Sequence, residues 1–129
     1  AQDKRLSHSV WFSTYHSIFC PKYRYNILNG KAEIFVRNTL YRLCGQKDYV
    51  TIEEINIQSD HVHLMLSIPP KYAISEIMGF LKGKLALKLF QEQKSLTKQY
   101  WGRHLWARGY CVSTVGLNEE QIRKYVRWQ

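Results

Sequence analysis

The chain is predicted to be an α+β protein: a ferredoxin-like (RRM-like) split β-α-β sandwich whose antiparallel sheet carries its helices on one face, with a further helix at the C-terminal end. Three observations predict it. Segments rich in branched and aromatic residues alternate with segments of helical period in the order β-α-β-β-α-β-α. The two middle strands are joined tightly through Gln58-Ser59-Asp60. In the second of them Val62, Leu64, Leu66 and Ile68 point one way while His61 and His63 point the other, as on a strand with one greasy face.

The first strand is expected over about Ser9 to Phe19, where Val10, Trp11, Phe12, Thr14, Tyr15, Ile18 and Phe19 precede Pro21. Asn29-Gly30 makes a turn, and Ile34, Phe35, Leu40 and Leu43 predict an amphipathic helix over Lys31 to Leu43, closed by Gly45. Tyr49, Val50, Ile52, Ile55 and Ile57 form the second strand, which turns straight into the histidine strand; Pro69-Pro70 stops the latter. Ile74, Ile77, Met78, Leu81, Leu85 and Leu89 recur at helical spacing through a long helix to about Phe90. After a polar, aromatic-rich connection, Tyr110 to Val115 reads as the fourth strand, broken by Gly116. Asn118 caps the last helix, with Glu119 and Glu120 at the positive end of its dipole and Gln121 three residues after the cap. The greasy side of the histidine strand must meet the helices, so His61 and His63 are expected on the sheet's open face.

One domain spanning 1–129 is the expectation, since 129 residues with 45% hydrophobic content suffice for one core and not two, and no linker or repeat interrupts them. The 19 Lys and Arg against 10 Asp and Glu leave +9, which favours a polyanionic partner. Nucleic acid fits better than a membrane, because no basic amphipathic helix with a bulky apolar face stands out. Several of the 9 Tyr and 4 Trp lie beside Lys or Arg, where rings can stack on unpaired bases. Cys20, Cys44 and Cys111 are far apart and never form a Cys-x-x-Cys pair, so neither a disulfide framework nor a zinc knuckle is indicated and a cytoplasmic location fits. Cys20 and Cys44 read as buried small hydrophobes without a role. No apolar run is long enough for a bilayer, and Ala1-Gln2-Asp3-Lys4-Arg5 has no signal-peptide character. The start without methionine and the stop at Gln129 within a helical pattern suggest native residues missing at the ends.

Two imidazoles on one strand face can grip a metal ion from a rigid platform; the plain alternative is a pair of outward polar residues. On the last helix Tyr125 and Gln129 are four residues apart and share a face. A tyrosine becomes a usable nucleophile when a metal polarises the group it attacks, although its free pKa of about 10 keeps it protonated at neutral pH. Gln129 can lend its amide oxygen to the same ion. With nine tyrosines in the chain, periodicity by itself does not choose Tyr125.

Asp60-His61-Val62-His63, Pro69-Pro70-Lys71, Phe80-Leu81-Lys82-Gly83-Lys84, the block from Trp101 to Tyr110, Ser113-Thr114-Val115-Gly116, Cys20-Pro21-Lys22-Tyr23-Arg24, and Lys124-Tyr125 ending in Gln129 occur in that family's arrangement: the chain resembles the single-tyrosine HUH transposases of the insertion-sequence-200 (IS200/IS605-like) kind. The resemblance implies His61 and His63 as ligands of a divalent ion, Gln129 as the third ligand, and Tyr125 as the nucleophile that attacks single-stranded DNA. It implies a 5′-phosphotyrosine link with a freed 3′-hydroxyl that later rejoins strands, Mg²⁺ or Mn²⁺ rather than the zinc-like ion that imidazoles alone would favour, a homodimer, and substrates with hairpins near the element ends. Lys22, Arg24, Lys82, Lys84, Arg103 and Arg108 are the candidates for DNA-backbone contacts, and Trp101, Trp106 and Tyr110 for base stacking. His104 is read as touching DNA or packing rather than binding metal. Two departures stand out: Leu85 and Ala86 replace the small hydroxyl residues usual after Lys82-Gly83-Lys84, and Tyr25 replaces a second arginine after Arg24. The competing readings are a non-catalytic nucleic-acid-binding regulator and a host-domesticated relative acting on palindromic repeats.

Overall fold

The structure, a computed structural model, describes residues 13–100 and 104–114. Strand β1 (Ser13–Phe19) lies in the middle of a sheet beside β3 (His61–Ile68), with β2 (Thr51–Gln58) and β4 (Cys111–Thr114) on the two edges. Every pairing is antiparallel and the order is β2-β3-β1-β4, which is the interleaving that a split β-α-β sandwich requires. Helices α1 (Lys31–Cys44) and α2 (Ile74–Glu92) make the crossovers.

The hairpin between β2 and β3 pairs Gln58 with His61 and Ile57 with Val62, leaving Ser59 and Asp60 as the turn. A bulge at Glu53 shifts the register between Ile52 and Glu54. It explains a spacing that strict alternation cannot: Ile52 faces Leu66 and Ile55 faces Leu64, so both isoleucines stay on the greasy side despite being three apart. Partners across an antiparallel pair share a face, so Tyr15, Ser17 and Phe19 join Leu66, Leu64 and Val62 on that side. Ser17 Oγ lies 3.5 Å from Met78 Sδ of α2, which fixes it as the helix side. Phe19, Val36, Leu40, Leu64, Leu66, Leu81 and Leu85 form one contiguous core there. Each fully buried Leu contributes about 1.5–3 kcal/mol.

Several expectations need correction. Ile34 is 59% exposed, because Val36, Leu40 and Leu43 set the buried stripe of α1 and Ile34, two residues or about 200° from Val36, faces away. Gly45 closes α1 with ordinary right-handed φ of −65°, and the helix instead tightens through Gln46 N–H to Leu43 O at 3.0 Å and Lys47 N–H to Cys44 O at 3.1 Å. Tyr49 is not in a strand but sits at φ 63° before β2 begins. The connection after α2 contains a short helix, α3 (Ser95–Gln99), whose five residues are too few for a periodic signal and which docks through Leu96. The histidine-bearing face is also closed at its centre: His63 is 3% exposed and Met65 and Ser67 are fully buried. Residues 9–12 of the first predicted strand, Trp101, Arg103, Val115 and the predicted last helix with Asn118, Tyr125 and Gln129 lie outside the described residues.

Candidate metal and nucleic-acid site

His61 opens β3 directly after the hairpin turn, and His63 follows on the same face opposite Asn56. The two rings sit edge to face with centroids 4.6 Å apart. A third imidazole, His16 of β1, stacks on His63 at 5.7 Å. Sequence reading missed it, although alternation along β1 puts Thr14, His16 and Ile18 on the histidine side.

Asp60, the last turn residue, places Oδ1 2.6 Å from His61 Nδ1 and Oδ2 3.0 Å from Arg24 Nη2. Arg24 Nη2 is also 3.4 Å from His61 Nδ1, but the much shorter carboxylate contact decides the proton. Nδ1–H donates to Asp60, which leaves the lone pair of the neutral ring on Nε2. That Nε2 is buried and has no hydrogen-bond partner among the described residues. Burial by itself would raise the Asp60 carboxyl; the hydrogen bond from His61 and the charge of Arg24 outweigh it and hold the group below its usual range. His63 is pushed down to about 4, first by burial and then by the neighbouring His61 and His16, so its ring is neutral at pH 7. Burial lowers His16 as well.

This donor set fits a divalent ion. It offers a neutral imidazole and a buried, unpartnered Nε2 held in its ligating tautomer by a carboxylate. Among the described residues no group of three or more His, Cys, Asp or Glu side chains could hold an ion, so the pair by itself is not a complete metal site. Beside the pair lies a hollow of about 580 Å³ whose lining includes Arg24, Cys20, Arg108 and Tyr110, within the usual small-ligand range of about 300–1,000 Å³. Cys20 is therefore half-exposed in this hollow and not the buried hydrophobe expected, whereas Cys44 is buried and its thiol is raised to about 12 by that burial.

The predicted DNA contacts divide sharply. Arg24 is committed to Asp60, and Lys82 is a brace: its Nζ donates to Gly109 O at 2.6 Å and approaches Ala107 O at 3.4 Å, while Trp106 Nε1–H donates to Lys82 O at 2.9 Å. Gly109 sits at φ +70°, a conformation that a side chain would strain. Burial lowers the Lys82 ammonium below its ordinary range. Lys22 is pinned by its backbone, with N–H to Leu105 O at 2.7 Å, while Lys84 and Arg108 are exposed. Arg108 also borders a larger hollow of about 990 Å³ beyond the 107–109 segment, lined by Phe90, Trp106, Lys94, Lys98 and an exposed His104. His104 is thus away from the histidine pair. Leu85 is fully buried, which accounts for its departure from a hydroxyl residue. No helix among the described residues is long and apolar enough to cross a membrane.

The fold and the site by themselves do not fix an activity, and comparison with known proteins supplies the family. The chain belongs to the IS200-like transposases, whose family model, "Transposase IS200 like", matches residues 9–129. It is 41% identical over 127 residues to the transposase for insertion sequence element IS200 of Salmonella typhimurium, covering 98% of this chain and 83% of that one. It is 36% identical over 123 residues to the ISDra2 transposase TnpA of Deinococcus radiodurans, covering 93% and 86%. Among solved structures, a protein of Deinococcus radiodurans R1 superposes with a TM-score of 0.76 at 30% identity, covering 93% of this chain and 92% of that one. A REP-associated tyrosine transposase bound to a REP hairpin shares the fold, with a TM-score of 0.63 at 13% identity over 91% and 64% of the two chains.

Proposed function

We propose that this transposase cleaves and rejoins single-stranded DNA at insertion-sequence ends through a tyrosine nucleophile and a divalent metal. The observation that carries the reading is the Arg24, Asp60, His61 chain of contacts, which presents a buried, unpartnered Nε2 next to a neutral His63. His61 and His63, with Gln129 as third ligand, would hold Mg²⁺ or Mn²⁺, which when bound supplies a Lewis acid at the scissile phosphate. Imidazoles alone lean toward zinc-like ions, and an amide oxygen with waters makes the shell harder.

Tyr125 is the nucleophile. Its Oη forms a bond to phosphorus as the bond from phosphorus to the 3′-oxygen breaks, and the phenolic proton ends on that leaving oxygen. The products are a 5′-phosphotyrosine and a free 3′-hydroxyl, and reversal with a different 3′-hydroxyl joins strands. Because the tyrosyl ester keeps the energy of the broken bond, no nucleotide cofactor is needed. Asp60 holds His61 in its tautomer, and Arg24 keeps Asp60 in place. Exposed Lys84 and Arg108, together with Arg103 and the backbone-pinned Lys22, are the phosphate contacts of this reading. A homodimer acting on hairpin-bearing single strands completes it.

The test mixes the protein with labelled single-stranded and double-stranded DNA from the ends of its own element, with Mn²⁺ or with chelator. A covalent protein-DNA band formed from single strands only, and with metal only, is the expected result. Binding without any covalent band would leave a nucleic-acid-binding regulator.

A further inference from the structure

A ladder of rings climbs from the core to the surface beside the histidine site. Phe90 and Tyr100 lie at the inner end with centroids 6.4 Å apart, and Tyr100, 3% exposed, donates its hydroxyl to Lys22 O at 3.1 Å. Tyr25 packs on Tyr100 at 5.5 Å, and Tyr23 lies 5.5 Å beyond Tyr25. Tyr25 is 40% exposed and Tyr23 67%. A large ring held that far into water needs a reason, and the backbone sharpens the question: Tyr23 and Arg24 are consecutive non-glycine residues at φ 65° and 52°. The left-handed region is rare for such residues and is retained where surrounding structure and function demand it. Arg24, between the two tyrosines, reaches back to Asp60 at the histidine pair, and Lys22 Nζ stands 5.3 Å from the Tyr23 ring centroid.

We propose that Tyr23 and Tyr25 form a stacking platform for an unpaired nucleobase next to the histidine site, with Lys22 beside it for the attached phosphate. This inference rests on the transposase reading and adds a subsite to it. Lys22 Nζ lies over the Tyr23 ring, and exposed rings with a mobile cation beside them are a combination that holds single-stranded nucleic acid without reading its sequence, because every base has a π-face and every nucleotide a charge. The ladder behind them stops the platform from folding inward. The pinned Lys22 backbone, bonded to Leu105 O, keeps the segment from sliding.

The probe is a short oligo-dT single strand carrying one 2-aminopurine, whose fluorescence is quenched on stacking. Tyr23→Leu is expected to weaken binding by roughly five- to a hundredfold, as for loss of one base stack, and to relieve quenching, with the salt dependence unchanged because no charge is removed. Tyr23→Phe should retain both affinity and quenching, and Tyr25→Leu checks the platform independently. Wild-type affinity and quenching in Tyr23→Leu would overturn the proposal. So would a change of oligomeric state in that variant without a change in DNA affinity, which would make the rings an interface between copies. Covalent-adduct formation on the element's own ends, followed in the same samples, separates the two claims. An adduct from wild type with an indifferent Tyr23→Leu removes only the platform, whereas no adduct from wild type removes the proposed chemistry.

Discussion

Lys82→Met is the substitution at which the sequence and the structure predict different results. Taken as a phosphate contact, Lys82 would add about one released counterion to single-strand binding, so its loss would lower the slope of log K against log salt by about 0.7. The structure makes it a brace, with Nζ 2.6 Å from Gly109 O and its own carbonyl holding the Trp106 indole at 2.9 Å. A hydrogen bond from a charged donor is worth about 1.5–3 kcal/mol, part of which is offset by removing the ammonium from water. Burial lowers this ammonium's pKa, so the offset is real. Methionine keeps much of the stem's packing, so the expected loss is about 2 kcal/mol, or roughly 5–10 °C in Tm for a domain of this size. Differential scanning calorimetry and a fluorescence-anisotropy titration at several salt concentrations read the two quantities separately. The brace predicts a lower Tm with the salt slope unchanged. An unchanged Tm with a shallower slope would refute it.

Asp60→Asn should weaken metal binding by roughly ten- to a hundredfold, as orienting carboxylates do when removed, with little change in Tm; calorimetric titration with Mn²⁺ decides it. His63 gives a pH signature in chelator. Its folded pKa, about 4, lies below the ordinary 6.5, so the folded state binds fewer protons: stability is full above about pH 6.5, falls as pH drops toward 4 and then levels. At about 1.4 kcal/mol per pH unit the loss is at most about 3.5 kcal/mol, and urea midpoints of wild type and His63→Gln across that window should converge at low pH. Leu81→Ala, at a fully buried core position, should lose about 2–5 kcal/mol in a urea melt. His61→Ala combined with His63→Ala should remove metal-dependent cleavage, and cleavage retained in that double variant would sink the metal assignment.

The sheet and its two main helices were legible because their signals are periodic and long. Alternation in 61–68 and the spacing of Ile77, Leu81, Leu85 and Leu89 each repeat several times. The histidine pair was legible for the same reason. What pattern could not carry was which bond each charged side chain makes. Arg24 and Lys82 look in sequence like free cations, yet one is claimed by Asp60 across 36 positions of chain and the other by the 107–109 backbone. His16 escaped attention because its partner lies on another strand, and α3 because a helix of five residues has no period to show. Burial of His63 also escaped the pattern, because alternation says which face a side chain takes and not what covers that face.

The central claim is that Tyr125 takes the DNA onto itself with metal assistance at the histidine pair. Its most direct test is mass spectrometry of the tryptic digest of the protein after incubation with single-stranded element ends and Mn²⁺. A nucleotide-bearing peptide containing Tyr125 is expected, absent with chelator and absent in Tyr125→Phe. A nucleotide carried by a different tyrosine, or an adduct that forms equally well in chelator, would contradict it.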